Sequence, residues 1–256
     1  MILRRVIAHF RKQEWTAIGI DLVIVVVGVF IGIQVSNWNT ARTDAARADG
    51  YLERLRDDLL TDVSELEARR IYWRSVAVYG ATAAAFAESG ALVDGSKWKT
   101  MLAFFQASQI WRFAPSEVAF RELTGAGELG LIRNARLRAE LSQYYNDIDT
   151  RRRVGVYQFI PPYRESVRGA TPMPVARHII EHCHSQGPLN QRLLDCDAPI
   201  DEETAGAILD GYLARPGLVD QLRYWVTSLE LVDQSALFDS RAAQDLAEEI
   251  ARELKR

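Results

Sequence analysis

The chain has 256 residues, 48% of them hydrophobic and 25% charged, with 31 Lys and Arg against 34 Asp and Glu for a formal net charge of −3. That length is enough for a sizeable core in one or two domains. The balanced charge argues against nucleic acid as a partner, because a nucleic-acid-binding domain carries a strong basic excess.

Lysine occurs only at positions 12, 97, 99 and 255, an arginine bias that fits a GC-rich bacterial genome. In the opening segment, "MILRRVIAHFRKQEW" (1–15), Ile2, Leu3, Val6, Ile7 and Phe10 fall at helical spacing among Arg4, Arg5, Arg11 and Lys12. This pattern predicts a short basic helix lying on an anionic membrane surface. The next segment, "TAIGIDLVIVVVGVFIGIQVSNW" (16–38), has no charge after Asp21, and the charge-free run extends through residue 41. As a helix its roughly 23 residues reach ~35 Å, enough to cross a ~30 Å hydrocarbon core, so it predicts a transmembrane helix. Trp15 and Trp38 bracket it at headgroup level.

A cleaved signal peptide is the competing reading of a basic head followed by an apolar run. Signal cores span roughly 7–15 residues, however, and the nearest Ala-x-Ala, Ala46 to Ala48, lies well past the apolar stretch, so a retained anchor is expected. Arg42, Arg47, Arg54 and Arg56 follow the span closely and nearly balance the basic residues before it. A short basic tail usually stays inside, which places the N-terminus in the cytoplasm and residues 39–256 in the periplasm of a bacterial inner membrane.

At about 100° per residue, Gly28 and Gly32 lie within roughly 20° of Asp21 around the helix, and Ser36 about 60° away. Small residues at this spacing let helix backbones approach closely in lipid, and an ionisable group on the same face tends to meet a partner. The face formed by Asp21, Gly28, Gly32 and Ser36 is therefore expected to be a helix–helix interface, with a second copy or with another membrane protein. In the simpler alternative Asp21 reaches the headgroups or pairs with Arg11 or Lys12, and the glycines are neutral.

The stretch "GIDLVIVVVGVFIGIQVSNWN", through Gly19, Asp21, Gly28, Gln34, Asn37, Trp38 and Asn39, resembles an uncharacterised bacterial family of single-span, membrane-anchored helical proteins. In that family glutamate is commoner at the acidic position and asparagine where Ser36 stands. Residues 120–145, "FRELTGAGELGLIRNARLRAELSQYY", are similar to its soluble part. The resemblance implies an anchored helical domain and supplies no activity.

From Tyr51 onward Leu52, Leu55, Leu59, Val63 and Leu66 recur at spacings of 3 and 4, predicting a helix that continues from the membrane segment with Gly50 as a soft point. The acidic run from Glu53 to Glu67 reads as its solvated face. After a loop, "ESGALVDGSKW", the segment "KWKTMLAFFQASQI" predicts a short buried helix. Ser116 is placed to cap a helix through Thr124 that ends at Gly125 and Gly127. Asn134 opens a long helix expected to break at Pro161 and Pro162. The stretch from Gly169 to Thr204 is the least regular, with one brief helix inside it. Beyond Pro216, Leu218, Leu222, Trp225, Leu229 and Val232 form an apolar stripe, and "SRAAQDLAEEIARELKR" reads as a charged amphipathic helix. No alternating strand is recognisable. The expected fold is all-α: an N-terminal transmembrane helix followed by an extracytoplasmic helical bundle.

Two motifs suggest chemistry. Gly125, Gly127 and Gly130 spell G-x-G-x-x-G, but a dinucleotide site needs a strand before it, and here a helical pattern precedes it, so the glycines read as a turn. "HIIEH", His178 to His182, spells the inverted zinc-protease signature, in which both histidines would hold the ion and Glu181 would act as base. The third ligand is not identifiable, and a structural metal site drawn from His178, His182, Cys183 or His184 is the milder version. The favoured reading pairs Cys183 with Cys196, the only two cysteines, in a disulfide closing a ~14-residue loop, stabilising by ~3 kcal/mol in the chain-entropy model. Arg151 to Arg153 read as a solvated face. No catalytic triad can be assembled, and no cofactor is expected. The function expected is an interaction or scaffold module in contact with membrane lipid, oligomeric or accessory to a membrane assembly. A periplasmic ligand sensor and a zinc-dependent hydrolase are the alternatives.

Overall fold

A computed structural model describes residues 15–185, 187 and 189–255, with side chains from residue 19 onward. The predicted basic surface helix falls almost wholly outside the described residues, and so does the side chain of Trp15. The chain divides into two compact units, Met1–Tyr51 and Leu52–Arg256. The described residues are predominantly helical, with eight α-helices among them.

In the first unit every described residue belongs to helix α1, Trp15–Ser89, whose later part lies in the second unit. Residues 19–43 are exposed on every side, and Gly50 is helical. Among the described residues α1 is the one helix long and apolar enough to cross a membrane, and none of its apolar window is buried.

In the second unit α1 turns Leu52, Leu55, Leu59, Leu66, Tyr72, Trp73, Val76 and Ala83 into the core. Helix α2, Lys97–Ala107, opens with Ser96, whose side chain accepts the Lys99 N–H. Residues 100–107 are buried on all sides, as expected for a helix apolar around its whole circumference. Helix α3, Val118–Gly125, differs at its start from the expectation that Ser116 caps it: no side-chain cap is made locally. Instead Asp62 on α1 accepts the Ser116 N–H at 2.7 Å and Asp58 accepts the Ala119 N–H at 3.1 Å. Carboxylates distant in sequence satisfy the free amides that the local hydroxyl leaves alone.

Helix α4, Ala135–Arg153, begins at Asn134, whose side-chain oxygen accepts the N–H groups of Arg136 and Leu137. It stops well before the prolines, because Gly155 adopts the left-handed conformation (φ 86°) and the Val156 N–H folds back to the Arg151 carbonyl at 2.9 Å. Pro161 and Pro162 start helix α5, Pro162–Ala170, instead of ending a helix. Helix α6, Met173–His182, leads into a two-stranded antiparallel pair, β1 (His184–Ser185) and β2 (Arg192–Leu193), with His184 opposite Leu193. This pair corrects the expectation of no strand, although four residues carry too little alternation to be seen.

Helix α7, Glu202–Leu213, has no counterpart among the predicted elements, because small residues such as Ala205 and Gly206 on its buried face blur the helical period. Asp201 caps it by accepting the Thr204 N–H at 2.8 Å. Helix α8, Leu218–Glu253, joins the apolar stripe and the charged segment into one rod that starts at Gly217, φ 74°, with Pro216 outside it. Helices α5 and α7 pack on α2, and α8 packs against α4, α5 and α7. At Gly80 on α1 a Cβ would run into Val226 of α8, so the two helices meet there because glycine leaves the space.

The acidic face of α1 is not wholly solvated. Asp62 is fully buried, accepting the Tyr144 O–H at 2.8 Å as well as the Ser116 amide. Burial pushes its carboxyl from 3.8 up to about 7, against the opposing pull of those hydrogen bonds. Asp239 on α8 is buried likewise, with the Tyr157 O–H at 2.5 Å and Arg151 at 3.0 Å. Arg70 ties α1 to α8 through Asp233 at 3.1 Å.

Because Asp62 holds its proton more tightly when folded, its contribution is complete below about pH 4 and is lost as the pH rises through about 7. Wild-type stability should therefore fall by up to ~1.4 kcal/mol per pH unit between roughly 4 and 7 from this residue. Asp62→Asn should flatten that slope in denaturant titrations at several pH values; an unchanged slope would refute the assignment.

Candidate functional site

Three regions bear on the residues that the sequence singles out or that line a groove. The first is the face of α1 in the first unit. Asp21, Gly28, Gly32 and Ser36 are all exposed, and nothing lies within 4 Å of a Cβ built at Gly28 or Gly32. The hydroxyl of Thr40 donates back to the Ser36 carbonyl at 3.1 Å, which satisfies that donor within the helix. Trp38 is exposed, with the Arg42 guanidinium 5.9 Å from its ring centre. Backbone lies open along this face at the two glycines.

The second region is the corner where α6 meets the strand pair. A disulfide joins Cys183 to Cys196, with their Cα atoms 5.1 Å apart. The corner is sewn to α2: Gln106 Nε2 donates to the Cys183 carbonyl at 2.8 Å and to the Leu194 carbonyl at 3.3 Å. Trp98 Nε1 donates to the Cys196 carbonyl at 2.9 Å. Prolines open α6, which suits the first helical turn, and the helix carries His178 and His182 one turn apart. Their rings stack at 4.4 Å and 18°. His178 Nε2 lies 2.9 Å from the Asp197 carbonyl, and His182 Nδ1 lies 3.1 Å from the His178 carbonyl.

One nitrogen of His178 and the sulfurs of Cys183 and Cys196 fall within 4.8 Å of one another. Bonded to each other, those sulfurs are not thiolates, and thiolate is the form that binds metal, so this group becomes a Cys2His donor set only on reduction. Glu181 is exposed, and His184 turns to other surroundings, with Nε2 3.4 Å from the Tyr72 hydroxyl.

The third region is a groove between α4 and α8 of about 480 Å³, lined by Glu140, Asp147, Phe238, Asp245, Leu246 and Glu248 among others. Sequence reasoning missed it, because its two walls lie about a hundred residues apart and neither shows a motif.

The glycine motif is a turn. Gly125 ends α3, Gly127 has φ 70°, and the Glu128 N–H donates to the Leu123 carbonyl at 3.0 Å before α4 begins at Ala135. The arginines at 151–153 are not simply solvated. Arg151 meets Asp239 and lies 5.4 Å from the Phe238 ring centre, while Arg152 and Arg153 both reach Asp149.

No family model, curated protein or solved structure matches this chain.

The disulfide closes a short loop that is also held by the strand pair and by the contacts from Gln106 and Trp98, and removing it lengthens the open chain of the unfolded state. Replacing both cysteines by serine is expected to cost ~2–4 kcal/mol in chemical denaturation. Loss below ~0.5 kcal/mol would mean that the contacts from Gln106 and Trp98 hold the corner unaided.

Proposed function

We propose that this protein is a membrane-anchored interaction module. The apolar stretch of α1 spans a bacterial inner membrane with its N-terminus in the cytoplasm. The face carrying Asp21, Gly28, Gly32 and Ser36 pairs with a second membrane helix, from another copy or from a different membrane protein. The second unit stands in the periplasm and contributes recognition, not catalysis.

The observation that carries this reading is the exposure of residues 19–43 on every side of a helix whose residues 22–41 hold no charge. In water so much contiguous apolar surface is unfavourable, at roughly 25 cal/mol for each Å² left exposed; in lipid it is at rest. Asp21 would cost up to ~2.5–3.5 kcal/mol at mid-bilayer, less near the end of the span where it sits, and a partner helix offsets that cost. The two glycines supply the close approach such a partner needs. A disulfide between Cys183 and Cys196 supports an oxidising compartment for the second unit.

In membranes, cysteines placed singly at positions 28 and 32 are expected to crosslink at several times the yield of cysteines at 26 and 30. Equal yields would remove the interface. Release of the intact chain by alkaline carbonate would remove the anchor, and fluorescence from a cytosolic reporter fused after Arg256 would remove the periplasmic placement.

A further inference from the structure

Most arginines of the second unit meet carboxylates: Arg54 with Glu122, Arg69 with Glu65, Arg70 and Arg74 with Asp233, Arg223 with Glu88. Arg164 and Arg168 do not. They stand one turn apart on α5, half-buried, and among the described residues neither has a carboxylate partner. Their acceptors are neutral. Arg164 Nη1 donates to the Ser108 carbonyl at 2.6 Å. Arg168 donates from Nε to Ser108 Oγ at 3.2 Å and from Nη2 to Gln109 Oε1 at 2.8 Å, with its guanidinium 4.6 Å from the Phe105 ring centre.

The two charges also act on each other and on their neighbours. Burial holds Arg168 down to about 10, and repulsion from Arg164 adds to that. Arg164 is lowered by burial and by Arg112, with Tyr72 opposing. His184 is pushed down by burial and by Arg168. Tyr72 and Tyr212, which also act on these arginines, are neutral at physiological pH, and Glu165, next to Arg164 and one turn before Arg168 on α5, is exposed and forms no ion pair with either.

A purely structural account holds that the pair completes the C-terminal end of α2, where Ser108 sits. That end offers roughly half a negative charge against two guanidinium charges, so even with the exposed Glu165 beside them positive charge is left over. Each guanidinium carries five N–H donors in a planar fork. One donor of Arg164 and two of Arg168 are used within the protein, so both keep donors to offer. His184 is itself half-buried, its Nε2 lies 3.4 Å from the hydroxyl of the buried Tyr72, and Arg168 acts electrostatically on His184 as Tyr72 does on Arg164. Partial burial strengthens a charge-assisted bond, and both residues keep some exposure to water.

We propose that Arg164 and Arg168, flanked by His184 and Tyr72, bind a compact oxyanion: the carboxylate or phosphate group of a small solute. A planar fork matches both groups in bidentate fashion. The disulfide contributes by position, since Cys183 directly precedes His184 and its carbonyl is held by Gln106. The inference does not rest on the membrane reading, and it is tested with readouts that the anchor does not affect.

The full-length chain in detergent is titrated with inorganic phosphate in one arm and succinate in another, each against sodium chloride at equal ionic strength. At least one arm should raise the melting midpoint by several degrees beyond chloride. The effective arm identifies the group preferred. Arg168→Gln and Arg164→Gln should weaken that binding at least tenfold, whereas Arg168→Lys, which keeps the charge but loses the fork, should fall between. A second readout uses the unmutated chain: the effective anion should slow phenylglyoxal modification of Arg164 and Arg168 severalfold relative to exposed Arg241. That protection decides the question should the glutamine variants not fold. If neither anion exceeds chloride and neither arginine is protected, or if the folded glutamine variants keep the full anion response, the site does not exist. A lower melting point in Arg168→Gln that is equal with and without anion would leave only the helix-end role.

Discussion

The second unit is organised by one requirement: α2 ends inside the core, where its last carbonyls cannot reach water. A buried acceptor left without a donor costs ~1–3 kcal/mol; Ser108 and Gln109 meet the Phe105 and Gln106 carbonyls locally, and the others are met from elsewhere in the chain. Tyr163 donates to the Phe104 carbonyl at 2.8 Å, Trp225 to the Ala107 carbonyl at 2.8 Å and Arg164 to the Ser108 carbonyl at 2.6 Å. These donors come from α5 and α8, and reaching them fixes where both helices lie against α2. Gln106 extends the same end outward by gripping the disulfide corner. Aromatic groups with polar tips and arginines serve here because they combine apolar bodies with donors.

That requirement leaves charge unevenly distributed. The buried carboxylates lie elsewhere, on α1 and α8, and draw their hydrogen bonds largely from tyrosines and backbone amides: Asp62 from Tyr144 and Ser116, Asp239 from Tyr157. Asp58 and Asp62 act as caps for a segment more than fifty residues away, where the local Ser116 does not. Arginines at the end of α2 and carboxylates beneath α3 and α4 are not brought together to cancel. A chain with nearly balanced charge thus carries a local positive excess, which gives the second unit a chemical preference that its composition conceals.

Much of this arrangement is legible along the chain wherever the decisive partner is near in sequence. Asn134 announces α4 because an N-cap bonds amides two and three residues on. Leu55, Leu59 and Leu66 announce the buried face of α1 because helical period and burial coincide there. Gly155 could have signalled the early end of α4, since a glycine after three arginines suits a left-handed helix stop, but the two later prolines offered a stronger break. Helix α7 was hidden by small residues that pack closely against Lys97 without marking a period.

By itself the sequence determined a predominantly helical chain with one long apolar stretch, because spacing and hydrophobicity are local properties that neighbouring residues decide. It also bounded the only possible intramolecular disulfide, since there are two cysteines. Only the tertiary structure decided that Asp62 is buried while its acidic neighbours largely are not, that Ser116 does not cap, and that Arg164 and Arg168 converge on Ser108 without a carboxylate. Each of those outcomes depends on a partner fifty or more residues away, and a polar side chain takes its environment from what folds against it, which no local pattern records.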